Sequence, residues 1–321
     1  MRLRALLFVL LICAAGCRPS GKPKVGVIPK GANHLFWQTV HAGALKAAAE
    51  YGLEIEWNAP PTEVDTPRQI DIVQSMVSRR LAGIAVAPTD RQALVAVIER
   101  AAEAGIPVCV FDSEVDTRRR LAYVSTNNEE AGRLAARRMG EILGGRGKVA
   151  VIGFKPGSAS TMERESGFLE ETKKLFPRIE VAAVQFGLAD RAKSMAVTEN
   201  VLTAYPDLAA LYADNESSSA GAVQALKSRN ARQVKLVAMD SSEQLVADMK
   251  AGWIDSFVLQ NPFKMGYESV RVIGEKLAGR TPPPMIDSGL ALVLPQQLEE
   301  PRVRELLFPD IQRWLQPAPP R

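Results

Sequence analysis

The sequence predicts an α/β protein with two doubly wound, Rossmann-like lobes, each built on a parallel sheet and joined by a multi-crossing hinge. Short apolar runs alternate with helical patterns along the chain, which indicates repeated βαβ units. In both halves such runs stop at polar residues: Lys30, Asp90, Asp112, Asp214 and Asp240. Because ligands of open parallel sheets bind beyond the carboxyl ends of the strands, these positions predict a small polar ligand held between two lobes.

The first half of the chain carries the first set of alternating elements. Apolar runs predict buried strands near Val25, Leu53, Gly83 and Pro107. Helical spacing predicts helices over residues 36–51, 69–80 and 91–104. The first and third of these helices stop at Gly52 and Gly105, and glycine is the usual residue after a helix end.

The alternation restarts near residue 129 and continues through the second half. Helices are predicted over 129–143, 163–176, 192–204, 217–227, 243–251 and 264–278, with strands over 148–154, 180–186, 208–213 and 256–260 and at Val234. If the last elements return to the first lobe, the chain crosses between lobes several times. We therefore expect an N-terminal lobe of residues 24–126 plus 261–287 and a C-terminal lobe of residues 127–260 plus 288–298.

The N-terminus has the pattern of an export signal. Arg2 and Arg4 precede a short apolar stretch, and Ala14-Ala15-Gly16-Cys17 follows. This run resembles the bacterial lipobox, which implies a signal peptide over residues 1–16, lipidation of Cys17 and a tether over residues 17–23. We thus expect an exported lipoprotein anchored to a membrane and facing the periplasm or cell exterior. A plain signal peptide cut nearby is the alternative.

The C-terminal segment, residues 299–321, is predicted to form a tail helix. Its apolar positions recur at helical spacing from Val303 to Leu315 and are interrupted at Pro309. We expect this tail to pack on the body of the protein, with a partner or membrane contact as the alternative.

Charge and composition exclude several functional classes. Removing residues 1–16 takes away two arginines and no acid, so the formal net charge falls from +4 to +2. Such a balance gives no electrostatic footprint for nucleic acid. Cys109 would be the only cysteine left unmodified, and its place inside an apolar run predicts an inert buried thiol.

Catalytic and metal patterns are also lacking in the sequence. The two histidines, His34 and His41, have no cysteine or carboxylate to complete a zinc set. The glycines of residues 144–148 precede a strand, whereas a phosphate-binding loop follows one. We expect no enzyme activity, no metal and no cofactor.

Ordered segments across residues 24–298 resemble one known family. They are IPKGANHLFWQTVHAGALKAAAEYG, GIAVAPTD, AGIPVCVFDSE, MERESGF, AYPDLAALYADN, VKLVAMDSS and VLQNPFKMG. The chain resembles the periplasmic binding proteins of the ribose-binding type, which serve bacterial ABC sugar importers. The segments IPK, FDSE and VQFGLADRAKSM are also similar to the binding proteins for autoinducer-2.

The resemblance implies a set of ligand-binding residues. Phe36 and Trp37 match the aromatics that sandwich the sugar ring, and Asp112 and Arg164 match residues that hold sugar oxygens. The remaining polar matches are Asn215, Asp240 and Gln260.

Three positions depart from the ribose-binding pattern. Ser113 replaces an arginine, His34 replaces an asparagine and Ala189 replaces an aromatic, while Lys30 matches the autoinducer-2 type instead. The departures make ribose itself doubtful and retain sugar as the ligand class. We count Lys30, His34 and Ser113 among the predicted ligand-binding residues.

The chemistry of these residues suits a sugar. Aromatic rings cover apolar C–H faces, and carboxylates accept hydroxyl protons in charge-assisted bonds. As alternatives, Phe36 and Trp37 could fill the core, and Asp112 and Asp240 could cap helices.

Two functional classes remain open. One is a monomeric receptor that delivers sugar to an ABC permease, and the other is a sensory receptor for a sensor kinase or chemoreceptor.

Overall fold

The computed structural model describes residues 21–32 and 34–316. Signal peptide 1–16, Cys17 and the start of the tether lie outside the described residues. One sheet contains β1 (Lys24–Ile28), β2 (Glu54–Trp57), β3 (Gly83–Val86), β4 (Val108–Phe111), β5 (Ala122–Ser125) and β11 (Met285–Asp287). The other contains β6 (Arg146–Gly153), β7 (Arg178–Phe186), β8 (Leu208–Ala213), β9 (Lys235–Met239), β10 (Ser256–Gln260) and β12 (Leu290–Val293).

The two sheets share one strand order. The first runs β2-β1-β3-β4-β5-β11 and the second runs β7-β6-β8-β9-β10-β12. Their pairings are parallel except for β10 with β12, which is antiparallel. The predicted fold class, two doubly wound lobes with parallel sheets, is confirmed.

Helices lie on both faces of each sheet. They are α1 (Leu35–Tyr51), α2 (Thr66–Ser78), α3 (Val95–Glu103), α4 (Asn128–Leu143), α5 (Ala159–Leu175), α6 (Arg191–Ala204), α7 (Glu216–Ser228), α8 (Glu243–Lys250), α9 (Pro262–Leu277), α10 (Pro301–Leu307) and α11 (Gln312–Leu315). The third helix begins later than predicted because Asp90 accepts hydrogen bonds from the backbone N–H of Gln92 and Ala93, which forms a turn. Within the described ranges, no helix has both the length and the apolar character to cross a membrane.

Each sheet separates two apolar cores. Side chains of α1 and α9 cover one face of the first sheet, and those of α2 and α3 cover the other. In the second lobe, α4 and α5 cover one face and α7, α8 and α10 cover the other. Helix α9 thus returns to the first lobe after β10, and the chain also passes between lobes after β5 and after β11. The predicted domain boundaries at these crossings stay predictions.

Glycines let two helix pairs approach closely, one pair in each lobe. A Cβ at Gly43 of α1 would lie 2.0 Å from the carbonyl oxygen of Phe263 in α9. A Cβ at Gly132 of α4 would lie 2.0 Å from the carbonyl oxygen of Arg164 in α5. Backbones therefore touch directly at both places, and the second contact fixes the part of α5 that carries Arg164.

The C-terminal tail contacts both lobes. Val303 and Leu307 of α10 belong to a core of the second lobe, whereas α11 packs against α1 of the first. Ile311, between these helices, is buried. The predicted tail therefore forms two short helices, separated where Pro309 removes a backbone donor.

Candidate functional site

A polar cavity lies between the lobes, where the carboxyl ends of the two sheets face each other. Nine of the predicted site residues line it: Lys30, His34, Phe36, Trp37, Asp112, Arg164, Asn215, Asp240 and Gln260. Residues from strand ends and helix starts of both lobes therefore meet at one place.

Asp112 and Asp240 occupy matching places in the two lobes. Each follows the fourth strand of its lobe, β4 or β9, and each has a positive φ, 61° and 63° respectively. This left-handed backbone is uncommon for residues other than glycine and turns the side chain out of the strand direction. Neither carboxylate caps a helix, because the helices that follow them, α4 and α8, are capped by Asn127 and Ser242. Both carboxylates instead line the cavity.

The environment of Asp240 destabilises its charged form, although the group stays mostly ionised at neutral pH. Burial raises its pKa to about 6, against the opposing effects of Arg164 and of the hydrogen bond from Gln260. Gln260 Nε2 donates to Asp240 Oδ1 at 2.9 Å. The amide oxygen Oε1 of Gln260 is buried and has no partner among the described residues.

Lys30 joins the two lobes from the end of β1. Its Nζ lies 2.7 Å from Asp112 Oδ2 and donates to Ser160 Oγ of the second lobe at 3.0 Å. Ser113 does not line the cavity; its Oγ accepts from the backbone N–H of Ser160 at 3.0 Å. Ser113 thus contributes to the contact between lobes behind the cavity.

Arg164 presents one free end of its guanidinium to the site. The side chain is buried, with Nε donating to Asn128 Oδ1 and Nη1 donating to the carbonyl oxygen of Asp214, each at 2.9 Å. Nη2 is buried and has no partner in the described part of the chain. Two hydrogen bonds therefore fix the plane of the guanidinium, and Nη2 is the nitrogen left to donate to a ligand.

Asn215 caps a helix as well as lining the cavity. Its Oδ1 accepts from the backbone N–H of Ser218 at 2.8 Å and from Ser217 Oγ at 3.0 Å, which positions the start of α7. With its oxygen engaged, the amide Nδ2 is the group left for a ligand.

Three aromatic rings contribute to the walls: Phe36, Trp37 and Phe154. Phe36 and Trp37 are perpendicular, with ring centroids 4.9 Å apart and planes at 86°, so this pair does not supply two parallel faces. Trp37 also belongs to the core of the first lobe, and its indole N–H donates to Glu63 Oε1 at 2.8 Å. Phe154 comes from the second lobe, after β6.

A histidine and two glutamates lie on one side of the cavity. His34 Nδ1 lies 3.1 Å from Glu216 Oε2 of the second lobe, and His34 Nε2 lies 3.7 Å from Glu63 Oε1. Arg191 also pairs with Glu216. The contact between His34 and Glu216 crosses from one lobe to the other.

Several lining residues were absent from the sequence prediction: Glu63, Phe154, Ser160, Thr161, Glu216 and Ser217. Phe154 and Glu216 were within reach of sequence reasoning, since the first is the last residue of a predicted strand and the second adjoins Asn215. Glu63 lies in a loop without periodicity, where no local pattern indicates a site.

The structure shows no arrangement for metal or thiol chemistry in the parts of the chain that it describes. No cluster of three histidine, cysteine or acidic side chains is placed to hold a metal ion within residues 21–32 and 34–316. Cys109 is fully buried, and burial raises the pKa of its thiol to about 12. At neutral pH this cysteine is therefore an unreactive thiol.

Comparison with known proteins gives the class to which this fold and site belong. The model of the periplasmic binding protein domain matches residues 25–281. The chain belongs to the periplasmic binding protein family.

Among curated relatives, a ribose import binding protein of Bacillus subtilis is 25% identical over 295 residues, covering 89% of this chain and 95% of the relative. A D-ribose/D-allose-binding protein of Pseudomonas aeruginosa is 30% identical over 274 residues, covering 81% and 84%. A solute-binding protein of Agrobacterium vitis with bound D-fucose has a TM-score of 0.87 and 29% identity, covering 89% of this chain and all of that one.

Proposed function

We propose that the protein binds one monosaccharide between its lobes and delivers it to the permease of an ABC importer. One observation carries this proposal. Arg164 Nη2 and Gln260 Oε1, a buried donor and a buried acceptor without partners among the described residues, belong to side chains that line the same cavity. Buried polar groups are normally hydrogen-bonded, and sugar hydroxyls can both accept and donate.

The aromatic and acidic walls support the same ligand class. Trp37 and Phe154 offer apolar surface to C–H faces, while Asp112 and Asp240 accept hydroxyl protons. One named relative is a ribose import binding protein and another is a D-ribose/D-allose-binding protein, which favours transport over the sensory alternative. The family consists of sugar-binding transport proteins, and we propose for this chain a monomeric binder without catalytic turnover.

Titration calorimetry tests the sugar proposal. The panel includes ribose, allose, D-arabinose and D-fucose, which the names of relatives and of similar structures suggest, together with amino acids as a contrasting class. We expect one sugar to bind at one site per chain. Binding of an amino acid and of no sugar would contradict the proposal.

We also propose that the protein is exported and carries a lipid on Cys17. The short apolar run after Arg2 and Arg4 and the small residues before Cys17 support this anchor. Metabolic labelling with a palmitate analogue should be lost in Cys17→Ser and retained in Cys109→Ser, the control for a buried cysteine. Label retained in Cys17→Ser would contradict the anchor.

A further inference from the structure

Exposed basic side chains collect at the end of the first lobe that lies opposite the cavity. Backbone hydrogen bonds place the beginnings of its strands side by side: Glu54 N to Pro23 O at 2.9 Å, Ala82 N to Lys24 O at 2.9 Å, Ile84 N to Pro107 O at 3.0 Å and Leu121 N to Val108 O at 2.7 Å. We call the exposed surface formed by Lys22, Lys24, Arg118, Arg119, Lys276, Leu277, Arg280 and Met285 the outer basic edge.

A surface groove runs across this edge. Its volume is about 520 Å³, and it lies between the end of α3, the beginnings of β4 and β5 and the end of α9. Arg118, Arg119 and Lys276 line it together with one acid, Glu103. The groove is distinct from the cavity between the lobes, with which it shares no lining residue.

Acids balance only part of the charge of the outer basic edge. Lys24 pairs with Glu54, and Arg119 pairs with Glu103. No acid among the described residues lies within ion-pair distance of Arg118, Lys276 or Arg280. The ends of α3 and α9 carry a partial negative charge, but this effect fades within one helical turn, whereas long basic side chains extend beyond it. The surface therefore attracts anions.

Two exposed apolar side chains accompany these charges. Leu277, at the end of α9, is 42% exposed, and Met285, at the beginning of β11, is 67% exposed. Basic side chains beside exposed apolar ones suit the boundary between phospholipid headgroups and acyl chains, where both kinds of group are satisfied.

The tether leaves the protein at this same edge. Cys17 precedes Lys24 by seven residues, so an extended chain spans at most about 25 Å between them. The groove begins two strands away from β1, at β4, which is a lateral distance of about 10 Å. A lipid on Cys17 would therefore hold the outer basic edge close to a membrane.

We propose that the outer basic edge binds anionic phospholipid headgroups and gives the anchored protein a defined resting orientation. The proposal rests on the lipid anchor proposed above. In this orientation the carboxyl ends of the first lobe's strands point away from the membrane, so the cavity and the second lobe lie on the side remote from it. Engagement with a permease would then require the protein to leave this resting position.

Vesicle binding tests the proposal without the anchor. The processed chain, residues 17–321 with Cys17→Ser, is mixed with vesicles of phosphatidylcholine alone or with phosphatidylglycerol added. We expect binding only to the anionic vesicles, and we expect it to weaken as salt is raised. The triple variant Arg118→Gln, Arg119→Gln, Lys276→Gln should bind about tenfold or more weakly.

The equivalent edge of the second lobe supplies a matched control. Arg229, Arg232 and Lys235 are exposed between α7 and β9, and the triple change to glutamine removes the same charge there. This control should keep its vesicle binding, and Lys276→Gln alone should show an intermediate loss. Equal losses in both triple variants, or no binding to anionic vesicles, would overturn the proposal. Sugar titration of the same variants reports separately on the cavity, and labelling of Cys17 reports separately on the anchor.

Discussion

His34 of the first lobe and Glu216 of the second form a hydrogen-bonded pair across the cleft, with Nδ1 and Oε2 3.1 Å apart. Burial by itself lowers the pKa of His34, but the hydrogen bond to Glu216 and the charges of Glu63 and Glu216 outweigh it and raise the pKa. The pKa of Glu216 is lowered, because the hydrogen bond from His34 and the charge of Arg191 outweigh its burial. The raised pKa of His34 and the lowered pKa of Glu216 both favour a protonated imidazole paired with an ionised carboxylate.

The only other histidine shows the opposite shift. His41 stacks on Trp57, with ring centroids 4.2 Å apart, and burial lowers its pKa to about 4. NMR titration of the two imidazole rings should therefore find one midpoint above 6.5 and one near 4. His34→Gln identifies the higher one, and two midpoints on the same side of 6.5 would contradict the assigned environments.

Sugar affinity should depend on the protonation of His34. Its pKa is raised where the lobes meet, so protonation stabilises the closed form below pH 6.5, and this contribution is lost as pH rises through the raised pKa. The ratio of wild-type affinity to that of Glu216→Gln should thus be larger at pH 6 than at pH 8.5 by calorimetry. His41→Gln is the control. The ratio of wild-type affinity to the affinity of His41→Gln should be the same at both pH values. Asp240 also titrates, at about 6, and the charge of Glu216 contributes to its raised pKa. The same ratio measured for His34→Gln, which keeps Glu216, separates the two groups.

Removal of Arg164 should weaken sugar binding without unfolding the protein. A hydrogen bond to a charged group contributes about 1.5–3 kcal/mol, which corresponds to about tenfold or more in affinity. Calorimetry should show this loss for Arg164→Ala and a smaller one for Arg164→Lys. Arg133→Ala, in the neighbouring helix at a surface ion pair, should bind as the wild type does. Unchanged affinity in Arg164→Ala would place the ligand elsewhere.

The close approach of α4 and α5 makes Gly132 sensitive to substitution. A Cβ there would meet the carbonyl oxygen of Arg164 at 2.0 Å, so the two helices must move apart. Gly132→Ala should cost about 1–3 kcal/mol of unfolding free energy, measured by denaturant titration, and should also weaken sugar binding. Gly21→Ala, where a Cβ meets nothing within 4 Å, should change neither property. Equal stability of both variants would show that the helices do not pack this closely.

Sugar should bring the two lobes together. Both lobes line the cavity, so a ligand makes all its contacts only when they meet, and this differential affinity shifts the population to the closed form. Small-angle scattering should show a smaller radius of gyration at saturating sugar. An unchanged radius at confirmed saturation would contradict closure.

Strand ends and resemblance predicted residues that the structure brings together around one cavity, and Asp112 and Asp240 were predicted for a general reason. Ligands gather where parallel strands end, and an apolar run makes that end visible. The left-handed backbone at these residues was not visible, since it depends on the loops around them. Strand β5 was missed because residues 112–121 connect it to β4 without a helix, which breaks the alternation.

Asn128 shows a second limit of sequence reasoning. It stands where the chain crosses between lobes and fixes Arg164 from 36 residues away, through a contact that no local pattern records. Glu63 was missed for a similar reason, since only the folded chain brings its loop to Trp37.

The C-terminal tail forms a second connection between the lobes, which must adjust when the cleft opens. Helix α10 is fixed in a core of the second lobe and α11 rests on α1 of the first, so a short strap of residues 308–311 links the lobes in addition to the crossings near the hinge. Separation of the lobes stretches this strap or detaches α11. Changes in the strap, far from any sugar contact, can therefore set how long the protein holds its cargo.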